Sequence, residues 1–489
     1  MGDHMRLSLD ILSVDRASDD PMHRQIYGAL RRFILDGRIA AHTLLPSTRS
    51  LAEDLKVGRN TVIAAYDQLL AEGFIEARAG SGTWVAPIKQ DRQPNAPRAR
   101  LDGSPRRLSA RGQTIVSGPQ PPRNAGVINF HPGVPETASF PFSIWSSLLV
   151  RNSRSRDESL LGYLSFAGHP GLRATIANNI SVSRGIDCAA EQVIVVTGAQ
   201  AALDLVSRVL TDEGDHVWME EPGYRGAKSA FLAAGARLAP LKVDRRGWNL
   251  SDPELPPPRL IYVTPSCQWP LGTIMRIEER LQLLDIAERH GAWIVEDDFD
   301  GEYRFRGRPV PALRGLDHAN HVVYIGSFGK TLLPALRIGY LIVPPELVDS
   351  FDKAVSITGQ FAPLILQATV NDFIKQGYFA THLKRMRRLY ARRQANFVQL
   401  CREHLGEWVA VSENDSGMQL LARFTRPLND LDVVAAAVKE GLDVQAVSID
   451  YHSTEPEHGL LLGYAAMDER QILRAVLALR AAFMRLDRQ

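Results

Sequence analysis

Five short apolar runs constrain this chain more than any other feature. Each closes in polar or small residues, and helix-like sequence separates one from the next. Val193-Ile194-Val195-Val196-Thr197 leads into Gly198-Ala199-Gln200, and His216-Val217-Trp218-Met219 into Glu220-Glu221-Pro222-Gly223-Tyr224. Leu260-Ile261-Tyr262-Val263-Thr264 precedes Pro265. Trp293-Ile294-Val295 runs into Glu296-Asp297-Asp298, and Val322-Val323-Tyr324-Ile325 into Gly326-Ser327-Phe328-Gly329-Lys330. Continuous β-branched runs belong to strands buried on both faces, so the predicted fold is α/β: a mainly parallel sheet with helices on either side. Ligands in such sheets gather at the carboxyl ends of the strands. The residues that close each run are therefore the first candidates for chemistry. After about residue 345 the pattern turns helical and then strand-like again near 418–421 and 460–462, which predicts a small C-terminal α+β subdomain.

An amine and a carboxylate at the ends of neighbouring strands can hold a pyridoxal ring from opposite sides. Lys330 supplies an amine able to form the Schiff base, and Asp297 an anion able to keep the pyridine nitrogen protonated. Gly198, Ala199 and Gln200 open a helix after a strand, so their backbone N–H groups can cradle phosphate. Ser327 and Arg337 flank Lys330 and complete that cradle. Tyr224 can stack on the ring, while Thr264 and Gln268 lie at a further strand end within reach of the ring edge. Each residue alone has an ordinary structural explanation: a surface lysine, a capping aspartate, a turn serine, a core tyrosine. Their order along one alternating domain is what points to pyridoxal 5'-phosphate.

The first part of the chain has a different character. Tyr27, Leu30 and Ile34 space as one helix face. Residues 47–55 read as a short helix capped by Ser47 or Thr48. Val57-Gly58 makes a turn, and residues 59–69 form a second helix with Val62, Tyr66 and Leu69 inward. Two short helices joined through glycine make a helix-turn-helix, whose second helix enters the major groove. Arg59, Asn60 and Thr61 stand at its leading end. Residues 73–85, with a Gly80-Ser81-Gly82 turn, read as a two-stranded wing. Arg49, Arg59, Asn60, Thr61, Arg78, Gly80 and Ser81 are the candidate contacts to double-stranded DNA; for Arg78 an ordinary surface charge is an equal reading.

Domain boundaries follow: 20–86 for the winged helix, 87–126 for a Pro/Arg-rich linker, and 127–489 for the sheet domain. The linker is too poor in aliphatics to build a core, and its arginines are solvated or touch DNA phosphates. The net charge of only +2 means that any DNA-binding surface is local. The three cysteines, Cys188, Cys267 and Cys401, fit no disulfide or metal pattern, which suits the cytoplasm and predicts no metal site. No apolar run reaches about eighteen residues, and the N-terminus lacks an apolar signal core, so no membrane association is expected.

The first of these segments resembles the DNA-binding domain of the GntR family, through Leu45-Pro46-Ser47-Thr48-Arg49 and Gly80-Ser81-Gly82-Thr83. Residues 127 to about 485 resemble fold-type I aminotransferases. The motifs are Thr264-Pro265-Ser266 with Gln268 and Pro270, Glu296-Asp297-Asp298, Arg308-Pro309 with Pro311-Ala312-Leu313, and residues 327–330 with Arg337-Ile338-Gly339-Tyr340. The whole chain resembles the MocR subfamily of GntR regulators. That resemblance implies a cofactor bound through the lysine, a head-to-tail homodimer in which each winged helix leans on the partner, and promoter control by an effector at the cofactor. Two departures matter. Phe299 stands where the family commonly has tyrosine at the cofactor's phenolic oxygen. Ile449 stands where amino-acid-sensing members carry the arginine that grips a carboxylate. The effector is then an amino compound without that contact, one held by another cation, or pyridoxal phosphate itself. An active aminotransferase with an accessory N-terminal domain, and a regulator that has lost the cofactor, are the alternatives.

Overall fold

The computed structural model describes residues 12, 14–78, 81–87, 107–117, 128–162, 166–307 and 311–487. The chain forms two compact units, divided between residues 106 and 107. Arg308, Pro309 and Gly80, among the residues singled out above, lie outside the described ones.

In the first unit, α1 (Met22–Leu35) buries Ile26, Leu30 and Ile34. Tyr27 packs against the same core at its half-buried edge, and its hydroxyl donates to Glu72 beyond the third helix. Ser47 caps α2 (Thr48–Asp54), its Oγ accepting the Ser50 N–H at 3.1 Å. The third helix, α3 (Arg59–Ala71), buries Val62, Ala65, Tyr66 and Leu69, and Tyr66 ties it to the turn before α2 by donating to Pro46 O at 2.9 Å. Strands β1 (Ile75–Arg78) and β2 (Gly82–Val85) pair antiparallel as the wing.

The second unit is built on eight strands: β3 (Val193–Val196), β4 (His216–Glu221), β5 (Arg237–Asp244), β6 (Gly247–Trp248), β7 (Leu260–Val263), β8 (Trp293–Asp297), β9 (Val322–Ser327) and β10 (Gly339–Ile342). Their order is β3-β10-β9-β8-β7-β4-β5-β6. All neighbours are parallel except β10, antiparallel to both β9 and β3, and the short β6. Every residue of β3 and β7 is buried, because successive side chains enter different cores. Val217, Tyr262, Val295 and Val323 join α6 (Ala199–Leu210) and α7 (Arg225–Ala234) on one face. Trp218, Ile261, Ile294 and Val322 join α8 (Ile277–His290) on the other. The parallel arrangement puts the ends of β3, β4, β7, β8 and β9 on one edge.

Before this sheet come α4 (Ala110–Val116), which packs on α7, and α5 (Pro170–Arg184). After it comes a 28-residue helix, Tyr378–Leu405, and a four-stranded antiparallel sheet of Val409–Val411, Gln419–Phe424, Gly459–Gly463 and Gln445–Ala446, in that order. Ile128–Asn129 pairs with Leu442–Asp443, stitching the start of the unit to this C-terminal subdomain. Among the described residues no helix is long and apolar enough to cross a membrane.

Candidate functional site

A cleft of about 740 Å³ opens at the carboxyl edge of the sheet. Its walls include Ala199, Gln200, Tyr224, Asp297, Phe299, Lys330 and Arg337, so the structure brings these sequence-predicted residues together. The Lys330 Nζ sits 4.2 Å from the centroid of the Phe299 ring and 5.8 Å from that of Trp269. The ammonium thus rests on aromatic faces, a contact of about 0.5–2 kcal/mol depending on desolvation. Tyr224 meets Trp269 edge-on at 6.0 Å, and Trp269 meets Phe299 likewise at 5.7 Å, giving one aromatic wall. Room at the amine is kept by Gly133, whose backbone is left-handed; a Cβ there would fall 3.0 Å from Lys330 Nζ.

Asp297 closes β8 and is 5% exposed, with its Oδ2 accepting the Tyr262 hydroxyl at 2.9 Å. Burial pushes its carboxyl up to about 6, against the pull of Tyr262 and the Lys330 ammonium. A buried anion with one neutral donor is a poor end state, and a cationic ring nitrogen is the partner it lacks. The folded-state value lies above the ordinary 3.8. Stability from the neutral carboxyl is therefore complete below about pH 4 and lost as pH rises through about 6, on the order of 3 kcal/mol. Urea unfolding of the cofactor-free chain between pH 4 and 7 should show this fall, and Asp297→Asn should flatten that part of it. Superimposable pH profiles for the two proteins would refute the assignment.

The phosphate end is built from backbone. Gly198 (φ 99°) turns the chain from β3 into α6, leaving the first N–H groups of that helix unpaired within it. Gly339 of β10 approaches it so closely that a Cβ would lie 2.8 Å from Gly198 C. Arg337 holds the left-handed conformation (φ 51°), unusual outside glycine, and its side chain lines the cleft. Ser327 Oγ accepts the Gly329 N–H at 3.1 Å, shaping the turn that presents Lys330. The donor set, the glycine-made space and the unneutralised Asp297 fit pyridoxal phosphate.

Two expected contacts are placed differently. Thr264 and Gln268 are buried and bind Glu220, not the cleft wall. Glu220 accepts Thr264 N at 2.9 Å, Thr264 Oγ1 at 2.6 Å and Trp248 Nε1 at 2.8 Å, with Gln268 Nε2 at 3.4 Å. Burial pushes this carboxyl up to about 7 despite those donors. Gln268 also donates to Pro222 O at 2.7 Å, so the pair shapes the loop that carries Trp269.

The far rim was not legible beforehand. Glu221 accepts the backbone N–H groups of His452, Ser453 and Thr454 at 2.8–3.0 Å, and Gly223 N donates to Asp450 O at 3.0 Å. These bonds bring Asp450 and Gln445 of the C-terminal subdomain into the cleft wall, with Arg225 at the start of α7. Burial pushes the Asp450 carboxyl up to about 7, and Arg225 opposes the shift. Ile449 does not line the cleft with them. Ile115 of α4 does, although α4 lies in the stretch read as linker.

In the winged unit Arg49, Arg59, Asn60, Arg78 and Ser81 are exposed and Thr61 is half-buried. Arg59 Nε donates to Thr48 Oγ1 at 3.4 Å, so the leading ends of α2 and α3 meet beside Arg49. Arg78 lies 5.6 Å over the Trp84 ring and 3.5 Å from Glu76.

Residues 127–479 match the family of aminotransferases class I and II, and residues 22–85 the bacterial regulatory proteins of the gntR family. The chain is 54% identical to the probable rhizopine catabolism regulatory protein MocR of Rhizobium meliloti, covering 98% of this chain and 97% of that one. It is 30% identical to the pyridoxine biosynthesis transcriptional regulator PdxR of Corynebacterium glutamicum, over 93% and 94%. Among solved structures it is similar to LysN, the α-aminoadipate aminotransferase of Thermus thermophilus, complexed with N-(5'-phosphopyridoxyl)-L-leucine. That match has a TM-score of 0.68 at 29% identity, covering 74% of this chain and 93% of LysN.

Proposed function

The chain belongs to the MocR-type regulators, which join a gntR-family domain to an aminotransferase class I and II domain, and from that premise we propose a transcription regulator governed at its pyridoxal phosphate site. The observation that carries the proposal is the presence, in one chain, of the Lys330–Asp297 cleft and exposed arginines at the meeting ends of α2 and α3. When bound, pyridoxal phosphate supplies a carbon that is electrophilic towards primary amines. Lys330 is the amine that holds the cofactor, and Asp297 keeps a proton at the ring nitrogen. Arg337, Ser327 and the N–H groups of Ala199 and Gln200 hold the phosphate, while Tyr224 covers a ring face. Phe299 offers no hydroxyl, so it supports the Lys330 amine through its ring face and leaves the phenolic oxygen without that donor.

Ligand binding in the cleft reaches the DNA-binding unit through the chain that joins them. Support comes from α4, which precedes the sheet domain, packs on α7 directly after Tyr224 and contributes Ile115 to the cleft wall. An amino compound, or the cofactor itself, changes that wall and with it promoter binding. The functional unit is a cytoplasmic homodimer, head-to-tail as the family implies, reading two half-sites.

Arg49→Ala and Arg59→Ala test the DNA surface. Each should weaken binding to the promoter beside the gene and lower the slope of log affinity against log salt by about 0.9 for each phosphate no longer neutralised. Fluorescence anisotropy at several salt concentrations measures both. Unchanged binding by the two variants would move the surface elsewhere.

A further inference from the structure

We propose that the effector is a primary amine without a carboxylate, one that turns a hydrogen-bond donor (a hydroxyl or a second ammonium) towards Asp450. This rests on the cleft being the cofactor and effector site. Asp450 is 3% exposed yet lines the cleft. Trp269 Nε1 at 3.2 Å and Gln445 Nε2 at 3.0 Å both donate to its Oδ2. Among the described residues no hydrogen bond reaches Oδ1. The carboxylate is held rigidly from one side and offers its second oxygen.

The charge around it decides what chemistry that oxygen accepts. Once Asp450 is ionised, above about pH 7, a carboxylate entering here meets a buried like charge, and such juxtapositions exclude partners. Arg225, the nearby cation on this rim, lines the same wall and its charge already acts on Asp450. Arg208, another cation in the wall, pairs with Asp204 at 3.0 Å. An N–H or O–H donor, in contrast, gives that second oxygen, which takes no hydrogen bond among the described residues, the partner it lacks. Between Asp450 and Lys330 the wall is the aromatic run of Trp269 and Phe299, which suits a carbon skeleton. The ligand therefore has an amine end near Lys330, an apolar middle and a donor end at Asp450.

The test titrates the cofactor-loaded full chain with compounds of matched size: 2-amino-1,3-propanediol, 1,4-diaminobutane, serine and 4-aminobutyrate. The readouts are the visible cofactor spectrum and anisotropy of labelled promoter DNA. Half-saturation by at least one of the two carboxylate-free amines should occur at a concentration at least tenfold lower than by either amino acid. Asp450→Ala should raise that concentration at least tenfold and leave the amino acids unimpaired. Asp450→Asn separates the sources, keeping the hydroxylated amine and losing the diamine if the donor is an ammonium. Amino acids acting as well as the amines, with Arg225→Ala abolishing their effect, would overturn the proposal and make Arg225 a carboxylate clamp. An Asp450→Ala protein that responds like the parent would overturn it too. Failure of the underlying reading looks different: the parent would show no visible cofactor band before any amine is added, and both ideas would fall together.

Discussion

Lys330→Ala should abolish the visible absorbance that a lysine-bound pyridoxal group gives the cofactor-loaded protein, while the far-ultraviolet circular dichroism stays that of the parent. The fold should survive because the part of Lys330 that holds structure is its backbone. Its carbonyl accepts the Tyr303 hydroxyl at 2.9 Å, a bond that alanine retains. The side chain's own contact is the aromatic face of Phe299 at 4.2 Å, about 0.5–2 kcal/mol. Loss of the ammonium also removes a charge that pulls on Asp297 and Asp300, whose carboxyls burial already pushes up. Both acids should titrate still higher, and the variant should bind pyridoxal phosphate weakly and reversibly. Effectors acting through the cofactor should then leave promoter binding unchanged. A full visible band in the variant would place the reactive amine elsewhere.

Lys330 and Asp297 were legible in the sequence because each follows within a few residues of a run of buried β-branched residues. Burial on both faces leaves such runs few polar residues until the strand ends, so the amines and acids that follow them cluster at the edge of the sheet. Three strands of the sheet escaped that logic, the two-residue β6 among them. Arg237–Asp244 alternates between buried and exposed and contains Pro240, tolerable because β6 pairs only with Val243 and Asp244 on that side. Gly339–Ile342 is four residues long and runs antiparallel, with only Ile338 between it and the left-handed Arg337.

The rim was illegible for a different reason. The Asp450 segment reaches the cleft through the bond of Gly223 N to Asp450 O and those of residues 452–454 to Glu221, more than two hundred residues away in sequence, and no local pattern encodes that closure. Thr264 and Gln268 show the converse. Their position at a strand end was visible, but the buried Glu220 that takes their hydrogen bonds was not, since an acid within a parallel strand is ordinarily excluded. Ile449, the position read as lacking an arginine, adjoins Asp450, whose carboxyl lines the cleft.

The second large effect lies beneath the cofactor site. Arg184, the last residue of α5, ion-pairs with Asp298; the two side chains are only 5% and 2% exposed. Its guanidinium also donates to Ser266 Oγ at 2.8 Å, and Asp298 Oδ2 takes the Tyr324 hydroxyl at 2.6 Å. The network joins α5, the β7 loop, β8 and β9 directly behind Asp297. Arg184→Ala leaves Asp298 buried with Tyr324 as its remaining donor. Uncompensated buried charges of this kind cost about 3–5 kcal/mol, against about 0–1 kcal/mol for exposed pairs. Urea unfolding should report a loss in the higher range, together with weakened cofactor binding, because Asp298 already works against ionisation of Asp297. Arg184→Met with Asp298→Asn removes both charges and should recover much of the stability. A loss below about 1 kcal/mol in the single variant would mean that water reaches the pair, and the strand ends that aim Asp297 and Lys330 would then owe their order to the sheet alone.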